Sequence, residues 1–257
     1  MKHPLHPLGR LTLAAMLLAS CGGGADSTGP VSTDLACTKT PLTVGVSVTA
    51  NTATTICRDG NGNSGNFFTL TVTQTTPVTI AMSGNAFPGY LGLFYDGGQV
   101  IAQRNPNVPP LSIAVVLGPG TYTVIGGSMT GADGPYSIVA SPLTLNACVA
   151  NLMATEGAIV TGTVTANGCV DEGGNRTQAV TWGTRTAKTL AFTVTLDKKA
   201  AVLFNGGAPN IITSGGPGNV TGSMPTQALL SYHMATAYVT HVAAFSTLPI
   251  SYTIKAE

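Results

Sequence analysis

GPGTYTVIGGSMTGADGPYSIV, residues 118–139, decides how this 257-residue chain is read. Tyrosine, valine, threonine and isoleucine alternate with small residues on either side of a glycine-rich break, which is the pattern of two strands joined by a turn. Its tyrosines, Tyr122 and Tyr136, stand 14 residues apart, and Tyr238 and Tyr252 repeat that interval near the end of the chain. The recurrence predicts two related β units in tandem.

Outward from that stretch, the first unit reads as short alternating strands over Leu42 to Ala50, Phe68 to Val72, Val78 to Met82, Tyr90 to Tyr95, Val100 to Gln103 and Leu111 to Leu117. The second unit restarts at Cys148, with Thr161 to Ala166, Phe192 to Leu196, Ala201 to Phe204 and Leu229 to His233 as counterparts. Matching Phe192 to Phe68 places an insertion of a dozen residues after Cys169, and Trp182 falls inside it. Short strands separated by glycine-rich turns indicate an all-β chain of two tandem antiparallel β-sandwich domains, over residues 37–143 and 144–257. A single large barrel competes, but cysteine pairs that restart the pattern argue against it.

Composition narrows the function classes. Only 8% of residues are charged, against roughly 25% in an ordinary soluble protein, so the surface is built from threonine, serine and asparagine. Removing Lys2 and Arg10 leaves nine basic against ten acidic residues. No basic stripe is present for nucleic acid. No apolar run is long enough for a bilayer-spanning helix.

Residues 1–20 have a basic start and an apolar stretch from Leu11 to Leu18, the layout of a secretory signal. Leu18-Ala19-Ser20-Cys21 resembles the bacterial lipobox, which implies cleavage before Cys21 and lipidation of its thiol. Gly22 and Gly23 lack the aspartate that retains some lipoproteins at the inner membrane, so the resemblance implies an exported protein held by its lipid at the outer membrane or cell surface. Residues 21–36 then read as the lipidated cysteine and a flexible tether, too poor in apolar side chains to fold.

With Cys21 assigned to lipid, four cysteines remain for an oxidising compartment. Separations of 20 and 21 favour Cys37–Cys57 and Cys148–Cys169 among the three connectivities. A shared zinc site is the alternative, and no Cys-x-x-Cys pair supports it.

FFTLTVTQTTPVTIAMSG (67–84), LGLFYDGGQVIAQ (91–103), LGPGTYTVIGG (117–127) and GADGPYSIV (131–139) together resemble the bacterial pre-peptidase C-terminal domain, well over residues 60–142 and weakly over 185–257. The resemblance implies a jelly-roll-like sandwich beside secreted peptidases, assistance in secretion or substrate binding, and calcium in some members.

Residues that could carry chemistry are few. Asp59, Asn61 and Asn63 alternate with glycine like the opening of a calcium loop, but Ser64 and Leu70 stand where its glycine and glutamate belong, so an ordinary turn competes. Asp171 occupies the matching loop after Cys169. No other cofactor is expected. His233 and His241 are read as facing one another across a turn at Met234 to Ala237, a pair that a metal-dependent hydrolase could use. Trp182 could stack on a sugar ring or anchor a protein, or it could plug the sandwich. Without a nucleophile elbow or zinc-protease motif, the expectation is a non-catalytic cell-envelope lipoprotein that presents loops to a glycan or surface protein. A purely structural spacer is the plainer alternative.

Overall fold

The computed structural model describes residues 37–257 apart from 55–56, 58–63, 85, 97, 99, 105–110, 133, 146–147, 172, 206–208, 214–216, 230–231 and 243–245. The described residues of the first half form β1 (Lys39–Pro41), β2 (Ser47–Asn51), β3 (Ser64–Val72), β4 (Thr76–Ser83), β5 (Gly89–Tyr95), β6 (Val100–Arg104), β7 (Leu111–Leu117), β8 (Gly120–Ser128) and β9 (Pro135–Pro142). The second half contains β10 (Leu152–Ala154), β11 (Ile159–Val164), β12 (Cys169–Val170), β13 (Arg176–Gly183), β14 (Thr189–Leu196), β15 (Ala201–Asn205) and β16 (Pro209–Thr213). It ends with β17 (Gly218–Pro225), β18 (Gln227–Leu229), β19 (Tyr232–Thr240) and β20 (Ile250–Ala256).

Period two explains the layers. In β4, Val78, Ile80 and Met82 are buried while Thr79 and Ala81 between them are partly exposed, and β9 and β14 alternate in the same way. Such strands bury one face against a second sheet, and each fully buried aliphatic or aromatic side chain contributes roughly 1.5–3 kcal/mol. The result is an all-β sandwich architecture with two main cores, one centred on Leu70, Ile80 and Ile113, the other on Trp182, Phe192 and Phe204.

The same pairing scheme occurs in both halves. β3 joins β1, β8 joins β3 and β5, β5 joins β6, and β4 lies between β7 and β9, with β2 beyond β9. β13 joins β10, β19 joins β13 and β15, β15 joins β16, and β14 lies between β17 and β20, with β11 beyond β20. Register makes the correspondence residue-specific. Thr40 stands opposite Phe68 and Leu152 opposite Val180, an offset of 112 that Cys57 and Cys169 share. Ile80 faces Ala140 where Phe192 faces Ala256, at an offset of 112 from β4 to β14 and of 116 from β9 to β20.

Three sequence expectations change. There is no dozen-residue insertion after Cys169: Trp182 lies on β13 in the place of Leu70, and Phe192 answers Ile80, one strand later than Phe68. β13 hides its periodicity because its buried set, Gln178, Val180 and Trp182, begins with an amide. Nor does Tyr238 answer Tyr122. Leu70 faces Tyr122 and Trp182 faces Ala235, so Ala235 holds the Tyr122 position, and Tyr238 projects from the opposite face of β19. Tyr252 does keep the place of Tyr136, opposite Gly162 where Tyr136 is opposite Ala50. Finally, the sheets are not wholly antiparallel, since β1 runs parallel to β3, and β10 runs parallel to both β13 and β7. Long connections through the cysteine loops let these first strands return in the same direction.

β10 sets the relation between the halves. It is hydrogen-bonded on both edges, to β13 of its own half and to β7 of the first, so the order β16-β15-β19-β13-β10-β7-β4-β9-β2 is one continuous sheet. Both expected disulfides form, Cys37–Cys57 and Cys148–Cys169, with Cα atoms 5.7 and 4.7 Å apart. Each ties the loop that leads into β3 or β13.

Candidate functional site

Two features stand out where side-chain chemistry gathers: the junction around β10 and an open groove on the first half. At the junction, the turn after β10 packs under the Gly118 corner. Thr155 N donates to Val116 O at 3.1 Å, and Gly118 N donates to Thr155 Oγ1 at 2.7 Å. Tyr122 Oη donates to Gly118 O at 2.7 Å and lies 2.9 Å from Thr155 Oγ1, which closes a ring of hydroxyls and backbone groups. Tyr95 Oη donates to Gly183 O at 2.7 Å and accepts from Glu156 N at 2.8 Å. A Cβ on residue 118 would collide with the Glu156 carbonyl, so only glycine permits this approach. The Arg185 guanidinium covers the Tyr95 ring at 4.7 Å, and Glu156 pairs with Lys188 at 3.2 Å. Burial pushes the phenols of Tyr95 and Tyr122 up from their ordinary value. These phenols are neutral, hydrogen-bonded groups, and they join the halves.

The groove, about 390 Å³, opens between the β1/β3 edge and β2 and is lined by Thr40, Val48, Ala50, Asn51, Asn66 and Phe68. Asn66 Oδ1 accepts from Tyr136 Oη at 2.9 Å, and burial raises the Tyr136 phenol. At the equivalent place in the second half, Gln178 replaces Asn66 and grips the backbone of Val149, while Leu143, Leu145 and Val149 pack onto the core. The stretch preceding Cys37, which would correspond, lies outside the described residues.

The single residues of interest are dispersed. Trp182 is 0% exposed and packs edge-on to Phe192 at 5.4 Å, with Phe192 stacked on Phe204 at 5.2 Å. An exposed indole for a sugar or protein is thus ruled out by its place in the core; Trp182 Nε1 meets no protein acceptor. His233 and His241 do not face each other, because Met234 to Ala237 is no turn but the middle of the continuous strand β19. Eight residues along one strand separate them by about 27 Å, which removes the shared metal of the hydrolase reading. His241 is tied locally, its Nε2 lying 2.8 Å from Ser246 O.

Asp171 closes its own turn: Oδ1 accepts from Asn175 N at 2.8 Å, and Asp171 O accepts from Gly174 N at 3.0 Å. Asp59, Asn61 and Asn63 lie outside the described residues, as do Cys21 and the rest of residues 1–36, where a leader and tether are expected. Among the described residues no three histidine, cysteine or acidic side chains cluster as metal ligands. The junction residues escaped sequence reading because Tyr95, Thr155 and Glu156 are remote in the chain; the only local signal was the Gly-Pro-Gly run beside Tyr122.

No family profile and no curated protein sequence matches the chain. Among solved structures, it is similar to the pre-peptidase C-terminal domain of collagenase from Bacillus anthracis at 12% identity and a TM-score of 0.34, covering 40% of this chain and 95% of that one. A protein of Eubacterium rectale described as secreted matches at 11% identity and a TM-score of 0.23, over 75% of this chain and 68% of that one. A β-porphyranase of glycoside hydrolase family 86 from Bacteroides plebeius matches at 12% identity and a TM-score of 0.18, over 83% and 35%. Likeness at this level carries nothing about what this chain does.

Proposed function

We propose that this chain is an exported, non-catalytic envelope protein, held to the membrane by lipid on Cys21, whose tandem sandwich units act together as a stiff scaffold presenting loops to a glycan or surface protein. The observation that carries the reading is β10, a strand shared by both halves, which replaces a flexible linker by a backbone ladder. A hinge between domains would dissipate the geometry of whatever the outer loops hold. A backbone ladder preserves it. The lipobox-like Cys21, two disulfides and scarcity of charge support an envelope location.

Fatty-acid labelling of cells that express the chain, with Cys21→Ser beside it, tests the anchor. Incorporation that disappears in the variant is expected, and an unlabelled parent chain defeats it. Binding is tested with the purified chain on glycan arrays and in pull-downs from envelope fractions. A saturable ligand supports presentation of loops, while none in either assay reduces the chain to a spacer.

A further inference from the structure

The pairing that fuses the two halves is a reusable contact, since each half has the same strands. β7 accepts β10 on its free edge, and the corresponding edge in the second half belongs to β17, whose strand pairing among the described residues is with β14. β10 in turn corresponds to β1, whose pairing among the described residues is with β3 alone. A second copy could therefore set its β1 beside β17 and prolong the sheet head to tail without closing a ring, as heterologous contacts do.

Both free edges carry a proline at a position where the internal junction uses an amide. In the parallel register Met153↔Val115 and Ala154↔Val116, the bond from Thr155 N to Val116 O fixes which groups point across. Met153 N–H and Val116 N–H must then be the other two donors. β4 against β7 sets Pro77 opposite Val116, and β14 against β17 sets Thr189 opposite Pro225, so Pro225 takes the place of Val116. The offset of 112 that puts Leu152 at Thr40 puts Met153 at Pro41. Leu42 N points inward to Thr69 O at 2.8 Å, which turns the residue 41 position outward. Proline has no N–H, and sheets tolerate it only at edges. Two residues past Val116 stands Gly118, whose missing side chain admits Glu156; two residues past Pro225 stands Gln227.

We infer that Pro41 and Pro225 close these outer edges against a second copy of this chain, so that the junction formed between β7 and β10 does not recur between copies. Of the three cross-strand amides, only that of Thr43, the counterpart of Thr155, would remain between copies. The inference rests on strand register and is independent of the anchor or any ligand.

The test is sedimentation velocity on the full chain over a wide concentration range. The parent should remain monomeric. Pro41→Met with Pro225→Val, which installs the residues of the internal junction, should give concentration-dependent head-to-tail species, each restored donor tightening self-association by up to about tenfold. Gln227→Gly added to the pair should strengthen it further. A Pro41→Thr, Pro225→Thr pair serves if the first pair misfolds. Head-to-tail oligomers of the parent, or folded pair and triple variants that both stay monomeric, would overturn the inference.

Discussion

The two halves share a pairing scheme but fill it in opposite ways. In the first, Leu70 on β3 faces Tyr122 on β8; in the second, Trp182 on β13 faces Ala235 on β19. The large side chain has moved across the pair, and the small one with it. Nearby, Phe68 faces Val124 where Val180 faces Ala237, and Phe204 stands where Leu93 does. Close packing demands that total volume be kept while individual positions trade. The first half thereby keeps tyrosine hydroxyls at the junction end, whereas the second concentrates its rings in a dry centre.

The sharpest break of this contrast is Trp182→Ala, which leaves a cavity between Phe192 and Ala235 and should cost about 3–5 kcal/mol in urea unfolding. Trp182→Phe should cost far less, because it keeps most of the ring and removes an N–H that has no protein acceptor. Equal losses in the two variants would mean that the indole does more than fill space.

Disulfides should not distinguish the halves. Loops of 20 and 21 residues predict similar losses of roughly 3 kcal/mol when either pair is replaced by serine. A large disparity in chemical unfolding would show that one loop is already ordered without its bridge.

Tyr95→Phe strands the Glu156 amide and the Gly183 carbonyl at the junction and should cost about 1–3 kcal/mol. Its specific signature is a loss of cooperativity. Trp182 fluorescence reports the second half, and far-ultraviolet circular dichroism reports both. The two transitions should coincide in the parent and separate in the variant; coincidence in both would assign the coupling to the β10 ladder alone.

Alkali probes the same asymmetry. Burial raises the phenols of Tyr95, Tyr122 and Tyr136 in the first half and of Tyr252 in the second. The fold therefore retains protons that the unfolded chain sheds near pH 10. Stability should be flat with respect to these groups below about pH 10 and fall above it, by about 1.4 kcal/mol per pH unit for each of Tyr95, Tyr136 and Tyr252. Tyr136→Phe should flatten that slope by one such increment.

Much of the fold was legible because exposed and buried positions alternate cleanly. The strands from Phe68 to Tyr136 occur close to where period two puts them. The cysteine pairing followed from two loops of nearly equal size. Legibility failed at β13, where buried Gln178 interrupts the apolar set, and at Tyr238, where a matching interval concealed opposite faces of a strand. A spacing of 14 residues can match while the register differs by three, as Tyr238 does from Ala235, and any odd shift turns a side chain from core to surface. His233 and His241 failed for a related reason: small residues between them suggested a turn, while Ala235 and Ala237 are small in order to face Trp182 and Val180.

By itself, the sequence determined an all-β chain, two repeats of the strand pattern and two local disulfides, because composition, period and loop length act locally. GPGTYTVIGGSMTGADGPYSIV was rightly read as two strands and a turn. Only the tertiary structure decided that its Gly118 corner holds the halves together, that Trp182 is core, and that β10 belongs to two sheet segments at once. Those outcomes depend on which distant backbones meet, and a strand's second hydrogen-bonding edge leaves no mark on the side chains that a sequence displays.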